Sequence, residues 1–112
     1  MEQEFRRRAP RRKFDGQVGV MFRGHMTITR CLELGEGGTL IHIDNLLKEA
    51  QVDDCMVITL FLPHIGGIVA RSKCVYLTPG VKMGFQFESL DMKYKIRIRE
   101  FVSRQKSLRE SI

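Results

Sequence analysis

Six short runs rich in apolar side chains fill most of this sequence, and turn-forming residues separate them. Alternation with polar residues marks most of these runs, whereas residues 56–62 are almost continuously apolar, as in a strand covered on both faces. Runs of these two kinds, rich in Val, Ile, Thr and Phe, predict β-strands, here over residues 17–22, 26–34, 39–43, 55–62, 68–77 and 81–87. Beyond them the apolar spacing changes to three and four residues, which is typical of one face of a helix, at Leu90, Tyr94, Ile98, Phe101 and Val102.

Short strands joined by tight turns and followed by one helix predict an all-β fold. We expect a six-stranded antiparallel barrel whose C-terminal α-helix lies across an open end or seam; an open sheet with the helix on one face is the alternative. A chain of 112 residues suits one domain with one modest core. We expect a flexible arginine-rich arm over residues 1–14, the barrel with its helix over residues 15–103, and a frayed tail over residues 104–112.

The cysteines and histidines give little sign of chemistry. The sequence has an odd number of widely spaced cysteines, Cys31, Cys55 and Cys74, which argues against a disulfide framework. The histidines do not lie at metal-ligand spacings from these cysteines. Because each cysteine lies in or beside an apolar run, we expect buried thiols. No pattern joins a nucleophile, a base and an oxyanion site, so we expect neither an enzyme nor a bound metal or cofactor.

The sequence shows no apolar run long enough to span a bilayer, and its first residues lack the apolar segment of a secretory signal. We therefore expect a cytoplasmic location and no membrane insertion.

Positive charge is concentrated at the two ends of the chain. Residues 1–14 carry a net charge of +4 and residues 93–112 carry +5, whereas residues 15–92 carry −3. The first segment is rich in arginine, and guanidinium forks bind phosphates and planar acceptor edges bidentately. This pattern predicts an anionic partner at the ends of the chain, or where the ends meet the barrel.

Nonspecific nucleic-acid binding is one reading of these charges. It is not favoured by the strands, because we expect their phenylalanines to lie in the core rather than to form a platform for stacking bases, namely Phe22, Phe61, Phe85 and Phe87.

The arginine arm contains the motif Arg-x-x-x-Arg just before the first predicted strand. Arg7 and Arg11 satisfy this spacing, with Arg6 or Arg8 beside them. The pair Arg8 and Arg12 satisfies it as well, but Arg7 and Arg11 leave Phe14 at the strand entry. With this arm, the sequence resembles the PilZ domain, a bacterial receptor family for cyclic di-GMP.

The resemblance extends to a second motif, Asp/Asn-x-Ser-x-x-Gly, at the end of the second predicted strand. It maps onto residues 33–38, with Glu33 at the acidic position, Gly35 at the serine position and Gly38 at the final glycine. Without the serine hydroxyl, one hydrogen bond worth about 0.5–1.5 kcal/mol is missing. Its loss lowers the affinity for the ligand by up to roughly tenfold. A later pattern, Val81-x-x-Gly84-x-x-Phe87, is also similar to the family, and the likeness covers residues 5–103.

The resemblance implies a cyclic di-GMP receptor that acts in motility or biofilm regulation by signalling to an unidentified effector protein. The arm would become ordered over the ligand on the outer surface of the barrel. The implied ligand-binding residues are Arg6, Arg7, Arg8, Arg11, Glu33, Gly35 and Gly38. A degenerate PilZ domain that binds other proteins without nucleotide is the main alternative.

Overall fold

The computed structural model describes the backbone of residues 11–111 and the side chains of residues 12–103. Its strands are β1 (Arg11–Phe22), β2 (His25–Gly35), β3 (Gly38–His42), β4 (Cys55–Leu62), β5 (Gly66–Thr78) and β6 (Lys82–Ser89). A 3-10 turn (Asn45–Leu47) lies between β3 and β4, and the helix α1 (Met92–Ser111) follows β6.

The six strands form a closed barrel in the order β1-β2-β3-β6-β5-β4, and every neighbouring pair is antiparallel. The predicted barrel with a C-terminal helix is therefore confirmed, and the open-sheet alternative is wrong. Closure depends on β1, which pairs with β2 along most of its length and with β4 through residues 18–21.

Alternation along the strands fills the core. Side chains at every second position point inward and are buried, as Met56, Ile58, Leu60 and Leu62 show in β4. Removing apolar side chains of this kind from water is the main source of stability in a small barrel.

The helix closes the core at one end of the barrel. Asp91 begins it, because its Oδ1 accepts a hydrogen bond from the Lys93 amide at 3.2 Å. Ile98 and Val102 are fully buried, and the Phe101 ring meets the Phe14 ring edge-on with 5.2 Å between their centroids. These contacts come from the apolar stripe that the sequence predicts.

Two boundaries differ from the expectation. Strand β1 begins at Arg11, inside the segment assigned to the flexible arm, because its first residues pair with the end of β2. Helix α1 continues to Ser111, through the segment that we expected to fray.

Two expectations about β4 are wrong. Cys31 and Cys74 are buried, but Cys55 is exposed, and Phe61 is 47% exposed instead of lying in the core. The cause is the strand alternation: Cys55 and Phe61 occupy the outward positions of β4. Burial raises the pKa of the Cys31 thiol to about 11.

Gly38 is required by the close approach of β3 to β6. A Cβ at this position would lie 2.0 Å from the backbone oxygen of Phe85, whereas a Cβ at Gly37 would meet no atom within 4 Å. Gly37 also has no positive φ, so a side chain there introduces no strain.

We therefore expect Gly38→Ala to destabilise the barrel by at least about 2 kcal/mol, because backbone atoms must move to make room. In a domain of this size the melting temperature would fall by at least about 8 °C, as measured by thermal unfolding followed by circular dichroism. Gly37→Ala is the matched control and should leave the melting temperature nearly unchanged. Equal melting temperatures for the two variants would contradict the close approach.

Candidate functional site

The start of β1 lies beside the end of β2, so Arg11, the last residue of the predicted first motif, lies beside the second motif. In the register of this pair, Arg11 is opposite Gly35 and Lys13 is opposite Glu33. Residues facing each other in an antiparallel pair have Cα atoms about 5 Å apart. Arg6, Arg7 and Arg8 lie outside the described residues, and Arg11 is described by its backbone only.

The second motif forms a tight hairpin between β2 and β3. Gly35 is opposite Gly38, which leaves Glu36 and Gly37 as the two turn residues. The Gly37 carbonyl accepts a hydrogen bond from the Phe87 amide at 2.9 Å. The Glu33 carbonyl accepts one from the Thr39 hydroxyl at 2.8 Å. The first bond holds the hairpin against β6, and the second joins β3 to β2, so the backbone of the motif is fixed.

Arg12 connects the start of β1 to the helix. Its guanidinium carbon lies 4.5 Å from the centroid of the Phe101 ring and 5.9 Å from that of Phe14. A guanidinium over an aromatic face is stabilised by the ring quadrupole and by stacking.

Glu36 connects the hairpin to the helix. Its carboxylate accepts two hydrogen bonds from Arg99, at 3.0 Å from Nε and 2.7 Å from Nη2. This bidentate geometry is the strong form of the ion pair. The Glu36 side chain is 20% exposed and that of Arg99 is 54% exposed. The hydrogen bonds and the charge of Arg99 lower the pKa of Glu36.

The outer wall beside the hairpin carries an aromatic residue that the sequence reasoning missed. Across four strands, Glu33 is opposite Leu40, Leu40 is opposite Gly84, and Gly84 is opposite Tyr76. Side chains of Leu40 and Tyr76 flank the space that a Cβ at Gly84 would occupy, at 3.7 Å and 3.2 Å. The Tyr76 residue is 47% exposed. This place is marked by a glycine opposite an aromatic residue. The sequence alone does not show that Gly84 and Tyr76 are neighbours, because their pairing depends on the strand register.

The same wall carries a cation near the tyrosine ring. The Lys82 ammonium lies 6.0 Å from the Tyr76 ring centroid, and the Tyr76 hydroxyl accepts a hydrogen bond from the Thr78 hydroxyl at 2.8 Å. An exposed ring with a lysine beside it is suited to stacking an anionic aromatic ligand.

Other kinds of site lack support in residues 11–111. No group of three or more His, Cys, Asp or Glu residues there could hold a metal ion. Helix α1, as far as it is described, is too polar to cross a membrane.

Comparison with known proteins covers most of the chain. The family model described as the PilZ domain matches residues 5–104. No curated protein matches the sequence.

Several solved structures share the fold. The Bacillus subtilis inhibitor of motility MotI/DgrA matches 90% of this chain with a TM-score of 0.79 and 15% identity. The Borreliella burgdorferi PlzA protein in complex with c-di-GMP matches 90% with a TM-score of 0.68 and 15% identity. The PilZ domain of CeSA from a cellulose-synthesizing bacterium matches 87% with a TM-score of 0.65 and 12% identity.

The chain spans about half the length of the first two of these structures, 51% of MotI/DgrA and 43% of PlzA. It spans 98% of the CeSA domain. The matched unit therefore makes up nearly all of the CeSA domain structure and about half of each of the other two chains.

The ion pair between Glu36 and Arg99 gives a pH-dependent prediction. Because the folded-state pKa of Glu36 is lowered, the pair stabilises the fold above the usual glutamate pKa of about 4.3. This contribution is lost as the pH falls through the lowered, folded-state pKa. We expect Glu36→Gln to reduce the melting temperature at neutral pH, and the difference from wild type to shrink in acid.

Glu49→Gln is the matched control, because Glu49 is 84% exposed and lies 3.5 Å from Arg23. Exposed pairs of this kind contribute little, so its melting temperature should follow wild type at every pH. A Glu36→Gln difference that stays constant from neutral to acidic pH would show that the charge of Glu36 is not the cause.

Proposed function

The chain belongs to the PilZ domain family, and from this we propose that it is a receptor for cyclic di-GMP. The observation that carries the proposal is the register of β1 and β2, in which Arg11, the last residue of the first motif, is opposite Gly35 of the second motif. The complex of PlzA with c-di-GMP supports the same ligand for a barrel of this fold.

The chemistry of the ligand fits the residues at this place. Cyclic di-GMP carries two phosphates and two guanines. Arginine forks bind guanine O6 and N7 bidentately and stack on bases, which is the role proposed for Arg7 and Arg11. Arg6 or Arg8 would contact a phosphate or a second ligand. The Glu33 carboxylate would accept hydrogen bonds from guanine N–H groups, and the small Gly35 would let a base approach the backbone.

We further propose that the arm becomes ordered over the ligand and that helix α1 transmits this change. Arg12 lies next to Arg11 and contacts Phe101, while Glu36 lies inside the second motif and binds Arg99. Both parts of the site therefore have a direct contact with the helix. An effector protein that contacts the arm or the helix would meet a different surface in the bound state.

The test is calorimetric titration of the protein with cyclic di-GMP. We expect saturable binding that Arg7→Ala and Arg11→Ala each weaken by more than about tenfold, because each removes charge-assisted bonds. Lys106→Ala is the control for general charge and should bind as wild type. Hydrogen exchange of the amides in residues 5–10 should slow in the same saturated sample.

Other outcomes would separate the alternatives. No binding at any ligand concentration would favour a degenerate domain that binds proteins alone. Equal losses in the arginine and lysine variants, with a steep dependence on salt and no preference over GMP, would favour nonspecific binding of anions. Unchanged amide exchange in a saturated sample would refute ordering of the arm.

Tyr76 gives a second prediction for the same ligand. It lies three strands from Glu33 on one wall, roughly 14 Å away at the spacing of strands in a sheet. If a guanine stacks on its ring, Tyr76→Ala should weaken binding by roughly tenfold, since base stacking contributes about 1–3 kcal/mol. Tyr76→Phe keeps the ring and should retain most of the affinity. Equal affinity for Tyr76→Ala and wild type would place the ligand elsewhere.

A further inference from the structure

A second exposed surface lies on the outer side of β2, β1, β4 and β5, and the proposed ligand site does not use it. Its apolar side chains are 39–60% exposed and come from all four strands, namely Met21, Met26, Ile28, Val57, Phe61 and Val69. We call this surface the apolar face. Phe61, which sequence reasoning assigned to the core, is part of it.

The strand register makes the apolar face continuous. Met21 is opposite Met26 on one side and Val57 on the other. In the next outward row, Gly19 is opposite Ile28 and Thr59, and Thr59 is opposite Val69. The apolar side chains therefore occupy neighbouring positions on adjoining strands instead of being scattered.

Gly19 forms a shallow depression in the middle of the face. A Cβ there would lie 3.7 Å from Thr59 Cβ, 3.8 Å from Phe61 Cε2 and 4.0 Å from Met26 Cε. Side chains of the two neighbouring strands, β2 and β4, thus flank the bare backbone of β1. A flexible methionine and a phenylalanine beside a depression resemble the packed centre of a protein interface.

Charged side chains lie only beside this face, and most of them are already paired. Arg30 binds Asp15 at 3.1 Å, and Arg23 lies 3.5 Å from Glu49. Arg71, opposite Val57, is the described arginine at the border that has no ion pair. The border therefore offers little unbalanced charge to select an acidic partner.

We propose that the apolar face is the surface through which two copies of this chain associate. The six side chains expose on the order of 500 Å², as large as the largest apolar patch of a typical monomer. Two such patches would bury on the order of 1,000 Å², which is the lower limit for a specific interface. A barrel has no free strand edge, so this contact would be between sheet faces.

The charges around the apolar face are consistent with a second copy of the chain bound by two-fold symmetry. A two-fold contact places the same patch on both copies, so any charge at its centre would meet a like charge. The apolar face has no charge at its centre, and the Arg30 charge at its border is balanced by Asp15. The dimer would also leave the proposed ligand site open, because Gly19 lies eight residues along β1 from Arg11, roughly 25 Å at the strand rise.

Sedimentation velocity over a wide range of protein concentration tests the dimer. We expect wild type to change from a 13.0 kDa monomer to a dimer, and more so at higher salt, because the net charge of +6 on each copy is then screened. Ile28→Lys and Val69→Lys should each raise the dimer dissociation constant at least about tenfold, because a charge is buried without a partner. Both residues are more than half exposed, so neither variant disturbs the core.

Val52→Lys is the matched control, since Val52 is a valine with 49% exposure in the turn before β4. It should dimerise as wild type. Met26→Lys and Met26→Glu should each be monomeric alone, and an equal mixture should regain dimer because opposite charges then meet near the centre.

Two results would overturn the proposal. The first is a wild-type chain that stays monomeric at every concentration and salt, which would rule out self-association through the face. The second is a dimer that Val69→Lys and Val52→Lys affect equally, which would place the contact elsewhere. Cyclic di-GMP is absent from these experiments, so their result does not depend on the ligand proposal.

Discussion

The pairing of β1 with its two neighbours is the constraint on which the rest of the molecule depends. Residues 18–21 of β1 bond to β4 and close the barrel, while its first residues bond to the end of β2. One extra residue in β1, between Lys13 and Gly16, shifts the register. A bulge of this kind changes the direction of the strand and of its side chains.

The glycine at this bulge allows the contact with the helix. A Cβ at Gly16 would lie 2.4 Å from the Phe14 ring, so the ring packs where only a glycine leaves room. The Phe14 ring then contacts the Phe101 ring, and the Arg12 guanidinium stacks on Phe101. Arg12 is opposite Leu34, which is fully buried, so the arginine lies at the end of the core beneath the helix. The start of β1, the second motif and α1 are thereby joined through short contacts.

The sequence predicted the elements well and the contacts between distant elements poorly. Alternation and apolar content together located all six strands, since most strands have a buried and an exposed face. The exposed face of β4 was missed, because outward Cys55 and Phe61 are as apolar as the inward residues and the run appeared buried on both faces. The motif residues were assigned by their spacing alone, and of the candidate arginines the structure describes only the Arg11 backbone. Arg12 on Phe101, Arg99 on Glu36 and Tyr76 opposite Gly84 could not be predicted in this way, because each depends on register or on contacts across more than sixty residues or between strands.

The proposed ligand site and the apolar face lie far apart along β1, and this separation limits how a signal could leave the domain. A closed barrel with a packed core deforms little, so a change at the hairpin is not expected to travel through the wall to the apolar face. The helix is different, because its side chains contact the start of β1 and the hairpin, and the Arg99 guanidinium is half exposed. Ligand binding would therefore alter the end of the molecule that bears α1, while association through the apolar face would stay constant. Two copies held in this way would present two arms to one partner, which raises the effective concentration of the second arm.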